Sequence, residues 1–239
     1  MMKLSSFLVC AAFSLTAATL TAQAAPDLGY AAPYAVLAGS GVTNVGHSVI
    51  TGDLGVYPSK SVTGFPPGIV IGHKDIDNKA AGLAIASLIF AIDNALAVPC
   101  PATQVPPGCA LVNDLAGATI TPGVYKNGGV VTLSSGNLYL NGKGVYLFQI
   151  AGGLTVGTGG AVILENGATA ADIFWVTTQA TLNSTDAFYG NILSSSAITF
   201  TAAAGGTTLY GRALAETDVT FAAADTVTIP LAKEKKPKK

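Results

Sequence analysis

Catalysis, metal binding and redox chemistry each need particular side chains close together, and this sequence is poor in most of them. Its 239 residues include 2 His, 3 Cys and a single Arg. His47 and His73 both fall beside turn-forming residues, without the neighbouring acids that a metal centre or a proton relay requires. Asp53, in Thr51-Gly52-Asp53, reads as a turn residue rather than a base. Arg212 is placed to bridge neighbouring elements, and Trp175, set among apolar residues, belongs in the core or under a helix. The sequon Asn183-Ser184-Thr185 matters only in a glycosylating host. No catalytic residue, metal or cofactor is expected, and the chain does not read as an enzyme.

One side chain does recur with a pattern. Thr stands between apolar or small residues at Thr43, Thr63, Thr132, Thr155, Thr181, Thr199 and Thr220. Apart from one gap of 69 residues, these threonines are 18 to 26 residues apart, a spacing typical of solenoid repeats. In a strand such as Val131-Thr132-Leu133, alternation sends Val and Leu inward and Thr outward. The outward neighbours two positions on are Val45, Phe65, Ser134, Gly157, Asn183, Thr201 and Ala222, none of them charged. The candidate site is therefore a surface of Thr43, Thr63, Thr132, Thr155, Thr181, Asn183, Thr199, Thr201 and Thr220. Any one exposed Thr is simply a good strand former, whereas seven in phase form an array.

Two further tracks of short strands must hold that array. Upstream of the threonines run segments such as Ala35-Val36-Leu37, Leu147-Phe148-Gln149-Ile150 and Arg212-Ala213-Leu214. Downstream run Ser48-Val49-Ile50, Leu138-Tyr139-Leu140 and Val227-Thr228-Ile229. Three short strands per coil make a triangular β-helix. Between the second and third threonines, Asp75 to Ala97 reads as one helix, ended by Pro99, with apolar residues at Ala81, Ile85, Leu88, Ile92 and Leu96. Its weak polar face predicts that it is largely buried.

Charged residues are only 10% of the chain and apolar ones 50%, a balance that excludes intrinsic disorder. The net charge of −1 provides no footprint for nucleic acid. Residues 1–24 read as a signal peptide, with Lys3, an apolar stretch and the cleavage triplet Ala22-Gln23-Ala24, so secretion is expected. Cys10 leaves with it, and Cys100 and Cys109, flanking a Pro-rich loop, are expected to pair as a disulfide. No remaining stretch is a good candidate for membrane insertion, because Asp93 and Asn94 interrupt the nearest one, Gly82 to Val98. The domain then spans 25–232. The Lys-rich tail, 233–239, reads as disordered and able to contact an anionic surface.

The motifs TGDLGV, GFPPG, TPGVY, F-Q-I, F-W-V and GRALA follow one another along nearly the whole mature chain. In these stretches the sequence resembles the DUF3494 ice-binding protein family. The resemblance implies an all-β solenoid: a discontinuous right-handed parallel β-helix, triangular in section, with the long α-helix packed alongside. It also implies N-terminal coils inserted among C-terminal ones, and an ice crystal surface as the partner of a monomer. Thr suits ice, since its methyl and hydroxyl are both held by a stiff side chain. The residues after Phe174-Trp175 depart from the family pattern, which often has Gln there. The main alternative is an adhesin or polysaccharide-binding module, which would need a groove lined by Tyr or acids.

Overall fold

The structure is a computed structural model that describes residues 24–102, 104, 109–201 and 205–230. The leader up to residue 23 and the lysine tail lie outside the described residues.

Short parallel strands wind into coils that stack as three ladders, one per face. The upstream track gives the first face, from Gly123–Asn127 through residues 146–150, 173–177, 191–194 and 212–215 to Tyr34–Ala38, Asp53–Val56 and Lys74–Ile76. The threonine track gives the second. The downstream track gives the third, which includes Gly136–Asn141, Gly160–Glu165, Thr226–Thr228, Val49–Thr51 and Ile69–Ile71. The interior holds an aromatic column, Tyr125, Phe148, Trp175 and Phe188, with centroids 5.6, 4.0 and 5.3 Å apart, and a separate stacked pair, Phe200 and Phe221, at 4.7 Å. Trp175 is fully buried inside the coils rather than under the helix, and its Nε1 donates to the Tyr189 carbonyl. Some strands turn a corner without a break. In Ala187–Ser194 the bend falls at Gly190, with φ of 118°, and a Cβ on its ladder partner Gly211 would lie 1.8 Å from the Gly190 oxygen.

The stacking order corrects the expected interleaving. The C-terminal coils run consecutively from residue 119 to residue 228, and the two N-terminal coils then stack as a block beyond them. Two polar contacts clasp this junction. Arg212 donates from Nε and Nη2 to the Ala32 carbonyl and from Nη1 to Asn191 Oδ1, so it does bridge coils. Asp225, fully buried, accepts from the Thr207 amide, and its own amide donates to Ser48 Oγ. Burial raises the Asp225 pKa.

The helix, α1, spans Lys79–Ala97, four residues shorter at its start than expected. Lys74–Ile76 is instead an edge strand paired with residues 54–56. The Asp75 carboxylate accepts from the Tyr34 hydroxyl at 2.8 Å and from Asn78 Nδ2 at 2.7 Å. Asn78 in turn caps the helix by accepting from the Ala81 amide. At the other end Gln149 Nε2 donates to the carbonyls of Ala95, which also accepts from the Val98 amide, and of Val98. The docked stripe is Ala81, Ala84, Leu88, Ala91, Ile92 and Ala95. It covers the outward residues of the first face, including Leu37, Leu147, Val176, Leu193 and Leu214. That face is thus buried on both sides, which explains apolar runs such as Tyr34–Ala38. The helix itself is not largely buried: small alanines bring one side close, while Leu83, Ile89, Phe90 and Leu96 stay exposed. It is long and apolar enough to cross a membrane, yet here it is docked on the coils. Cys100 and Cys109 form the expected disulfide beside its C-terminal end, with Cys109 in the cluster that includes Ala95.

Candidate functional site: the threonine face

Thr132, Thr155, Thr181, Thr199 and Thr220 each sit between two buried apolar residues, whereas Thr43 lies between Val42 and the buried polar Asn44, and Thr63 between the half-buried Val62 and Gly64. In Val131–Leu133, Ile198–Phe200 and residues 180–182 the outer two side chains are buried and the Thr between them is not. Hydrophobic burial of the flanks fixes the orientation of the middle residue.

The ladder brings all seven predicted threonines into one column. Thr132 pairs with Thr155, Thr155 with Thr181, Thr181 with Thr199, and Thr199 with Thr220. Across the block junction Thr220 pairs with Thr43, and Thr43 with Thr63. No partner is skipped or shifted. With strands about 4.8 Å apart, the column is roughly 29 Å long. Thr43, Thr63 and Thr155 are exposed and the other four half-buried. The Thr132 hydroxyl donates to the Asn113 carbonyl at 3.2 Å, while the other six have no protein partner among the described residues. Each of those six can donate one hydrogen bond and accept others from water.

A second column stands beside the first. The amides of Gly157, Asn183, Thr201, Ala222 and Val45 donate to the carbonyls of residues 133, 156, 182, 200 and 221 at 2.8 to 3.1 Å. Asn183 and Thr201 are exposed, as predicted, and each lies one residue beyond its strand, held by that amide bond. Phe65 does not join this column. The chain turns at Gly64, with φ of 77°, and Phe65 packs against the core. On the other flank, two residues before each Thr, lie Val130, Gly153, Gln179, Ala197, Asp218, Gly41 and Ser61. Asp218 places one exposed charge at that margin. The same period-two alternation would have found this column in the sequence.

One end of the face is closed by Asp114, which bridges to Thr132 and accepts from Ser134 Oγ at 2.6 Å. That hydroxyl, with the amides of Ala116 and Ser134, lowers the Asp114 pKa below the ordinary carboxylate value.

Asp53 opens a strand rather than a turn, and accepts from the backbone amide of the exposed His73. No group of three His, Cys, Asp or Glu among the described residues could hold a metal ion. A groove of about 450 Å³ beside the helix end is lined by residues including Ile92, Leu96, Lys126 and Thr178, with neither Tyr nor acid. A more open cleft has one Tyr and one acid, Tyr57 and Glu216.

The chain matches the Ice-binding-like family over residues 36–228, which takes in all three faces and the helix. The chain belongs to this family. An ice-binding protein from Nostoc sp. (strain HG1) is 37% identical over 90% of this chain and 78% of its own length. One from Flavobacterium frigoris (strain PS1) is 34% identical over 85% of this chain and 76% of its own. Among solved structures, an ice-binding protein from an Antarctic biological consortium superposes with a TM-score of 0.82 at 36% identity, covering 88% of this chain and 94% of the other. One from the ascomycete Antarctomyces psychrotrophicus gives 0.79 at 33%, covering 87% and 100%. The Ice-binding-like fold thus spans both core blocks of this chain, including the junction clasped by Arg212.

Proposed function

We propose that this protein is secreted, binds ice through its threonine face, and so slows ice growth and recrystallisation and produces thermal hysteresis. The observation that carries the reading is the unbroken register of Thr132, Thr155, Thr181, Thr199, Thr220, Thr43 and Thr63. The relatives named as ice-binding proteins support it.

The mechanism is adsorption and not turnover. Threonine methyls favour water that is ordered around them, and the hydroxyls tie that water to the protein. Each contact is weak, and the sum matters only because strands and β-branched side chains are already fixed, so little freedom is lost on docking. An adsorbed molecule blocks the advance of the ice front, which must then bulge between neighbouring molecules. The curved front is less stable than a flat one, so growth stops until the temperature falls further. No cofactor enters, and no proton or electron is moved. The protein acts as a monomer on this reading. The tail from Lys233 to Lys239 adds contact with anionic surfaces.

The test is recrystallisation of a frozen solution holding the mature chain from Ala25. We expect the crystals to stay small, while the heat-unfolded protein or serum albumin lets them coarsen. Coarsening at the albumin rate with the folded protein would overturn the proposal.

A further inference from the structure

The helix α1 has a second apolar side, turned away from the coils. Lys79, Leu83, Ala86, Phe90 and Asp93 are all exposed. They follow at steps of four, three, four and three, the seam spacing of a coiled coil, and so form one stripe opposite Ala81, Ala84, Leu88 and Ala95. Ile89 is exposed on its flank. Neither Lys79 nor Asp93 has an ion-pair partner among the described residues. Burial, and then the charge of nearby Asp93, raise the pKa of Glu216, so two acids stand near one another at this end of the helix. The stripe reads alike from either end. About Ala86 as centre, Leu83 mirrors Ile89, Gly82 mirrors Phe90 and Lys79 mirrors Asp93: apolar against apolar, small against large, cation against anion. An isologous twofold contact requires this self-complementarity. Ala86 on the axis is small enough for two helices to approach closely. Gly82 offers Phe90 no obstructing side chain. A Cβ there would lie 3.3 Å from the Tyr57 ring, which is 38% exposed beside the cleft it shares with Ile85 and Glu216.

We propose that this stripe pairs with itself: a second copy of the chain docks antiparallel on α1, with Ala86 at the twofold axis and Lys79 of each copy against Asp93 of the other. Phe90 of each copy then covers Gly82 of the other and meets its Tyr57 ring. The incoming Lys79 faces both Asp93 and Glu216, two acids that one chain leaves without a cation between them. The charges favour a second copy over a lipid surface, because Asp93 lies in the stripe itself and would have to enter the apolar layer. The contact uses the helix on the first face, so the threonine column of each copy stays open. The ice-docking unit remains the single chain, and the inference does not depend on the ice-binding reading. One helix pair is small against the roughly 1,200–2,000 Å² of a standard stable interface, so the dimer forms only at high protein concentration.

The experiment is analytical sedimentation of the mature chain from Ala25 over a concentration series. It compares the wild type with Lys79→Asp, Asp93→Lys, the double swap of both, and Phe90→Ser. All three positions are exposed, so folding is not at stake, and circular dichroism checks it. We expect the wild type to pass from monomer to dimer as concentration rises. Each single charge variant sets two like-charge pairs across the twofold axis, and its dimer should weaken at least about tenfold. The double swap restores both pairs and should dimerise as the wild type does. Mixing the two single variants should also restore a dimer, now containing one chain of each. Phe90→Ser should weaken the dimer with no charge change. A wild type that is still monomeric at about 1 mM would overturn the inference. So would a dimer that both single charge variants keep at wild-type strength, since the copies would then meet on another surface. Monomeric wild type that floats with phosphatidylcholine vesicles would overturn it too, and would give the stripe to a lipid surface. None of these readings involves ice, so failure here leaves the threonine face untouched.

Discussion

Threonine side chains on a strand have two reasons to be exposed: good strand geometry and a surface role. What separates the two is how far the pattern runs. The triplets with Thr in the middle were readable because Val, Leu, Ile and Phe on either side are core in strands such as Val131–Leu133 and Ile198–Phe200. Phe65 was not readable in the same way, because one left-handed glycine before it turns the chain and reverses the alternation. Two other residues carry predictions at this scale. Replacing Arg212 with Met leaves the Ala32 carbonyl and Asn191 without their donor, at a cost of about 1–3 kcal/mol. Denaturant unfolding should show the lower midpoint, and an unchanged midpoint would mean that the clasp contributes nothing. Asp114 has a folded pKa below its unfolded value, so its contribution is present above the unfolded pKa and is lost as pH falls through the folded one. Asp114→Ala should therefore flatten the acid limb of the melting temperature against pH, and a variant with the wild-type limb would contradict this.

At the scale of elements, the three strand tracks and the existence of the helix were legible, and the limits of the helix were not. Asp75 to Ile76 has no Pro or Gly to forbid a helix, yet the edge of the first face draws it into a strand, and the Tyr34 hydroxyl holds Asp75 there. The docked stripe was only partly legible because alanines dock as well as larger residues when strands lie flat beneath them. Leu88 is fully buried and Phe90 is 65% exposed, though the two are neighbours of similar hydrophobicity. Leu88→Ala should cost about 2–5 kcal/mol of stability. Phe90→Ser should change it by no more than about 0.5 kcal/mol. Melting curves of the two variants check this directly, and equal losses would mean that the helix is docked on another side.

At the scale of the molecule, the order of coils could not be read from the sequence. Every coil offers its neighbours the same parallel edge with small or β-branched residues, so local pattern does not say which coil is next. The answer depends on particular contacts across the junction, the Arg212 and Asp225 clasps among them. The disulfide lies outside this stack. Replacing Cys100 and Cys109 with Ser frees a loop of sequence separation 9. The loss should be about 2–3 kcal/mol in the chain-entropy model. Ice activity in the cold should survive, because no threonine of the column belongs to that loop; loss of activity in a folded variant would show otherwise. The central claim is that the threonine column is the docking surface, and one measurement tests it most directly: recrystallisation inhibition and melting temperature of Thr181→Tyr and Thr199→Tyr. Both residues lie in the interior of the column, with ladder partners on either side. A ring standing above the flat face keeps neighbouring threonines from reaching ice, while the half-buried site tolerates it with little loss of fold. The account predicts strongly reduced ice activity at a nearly unchanged melting temperature, and wild-type activity in both variants would contradict it.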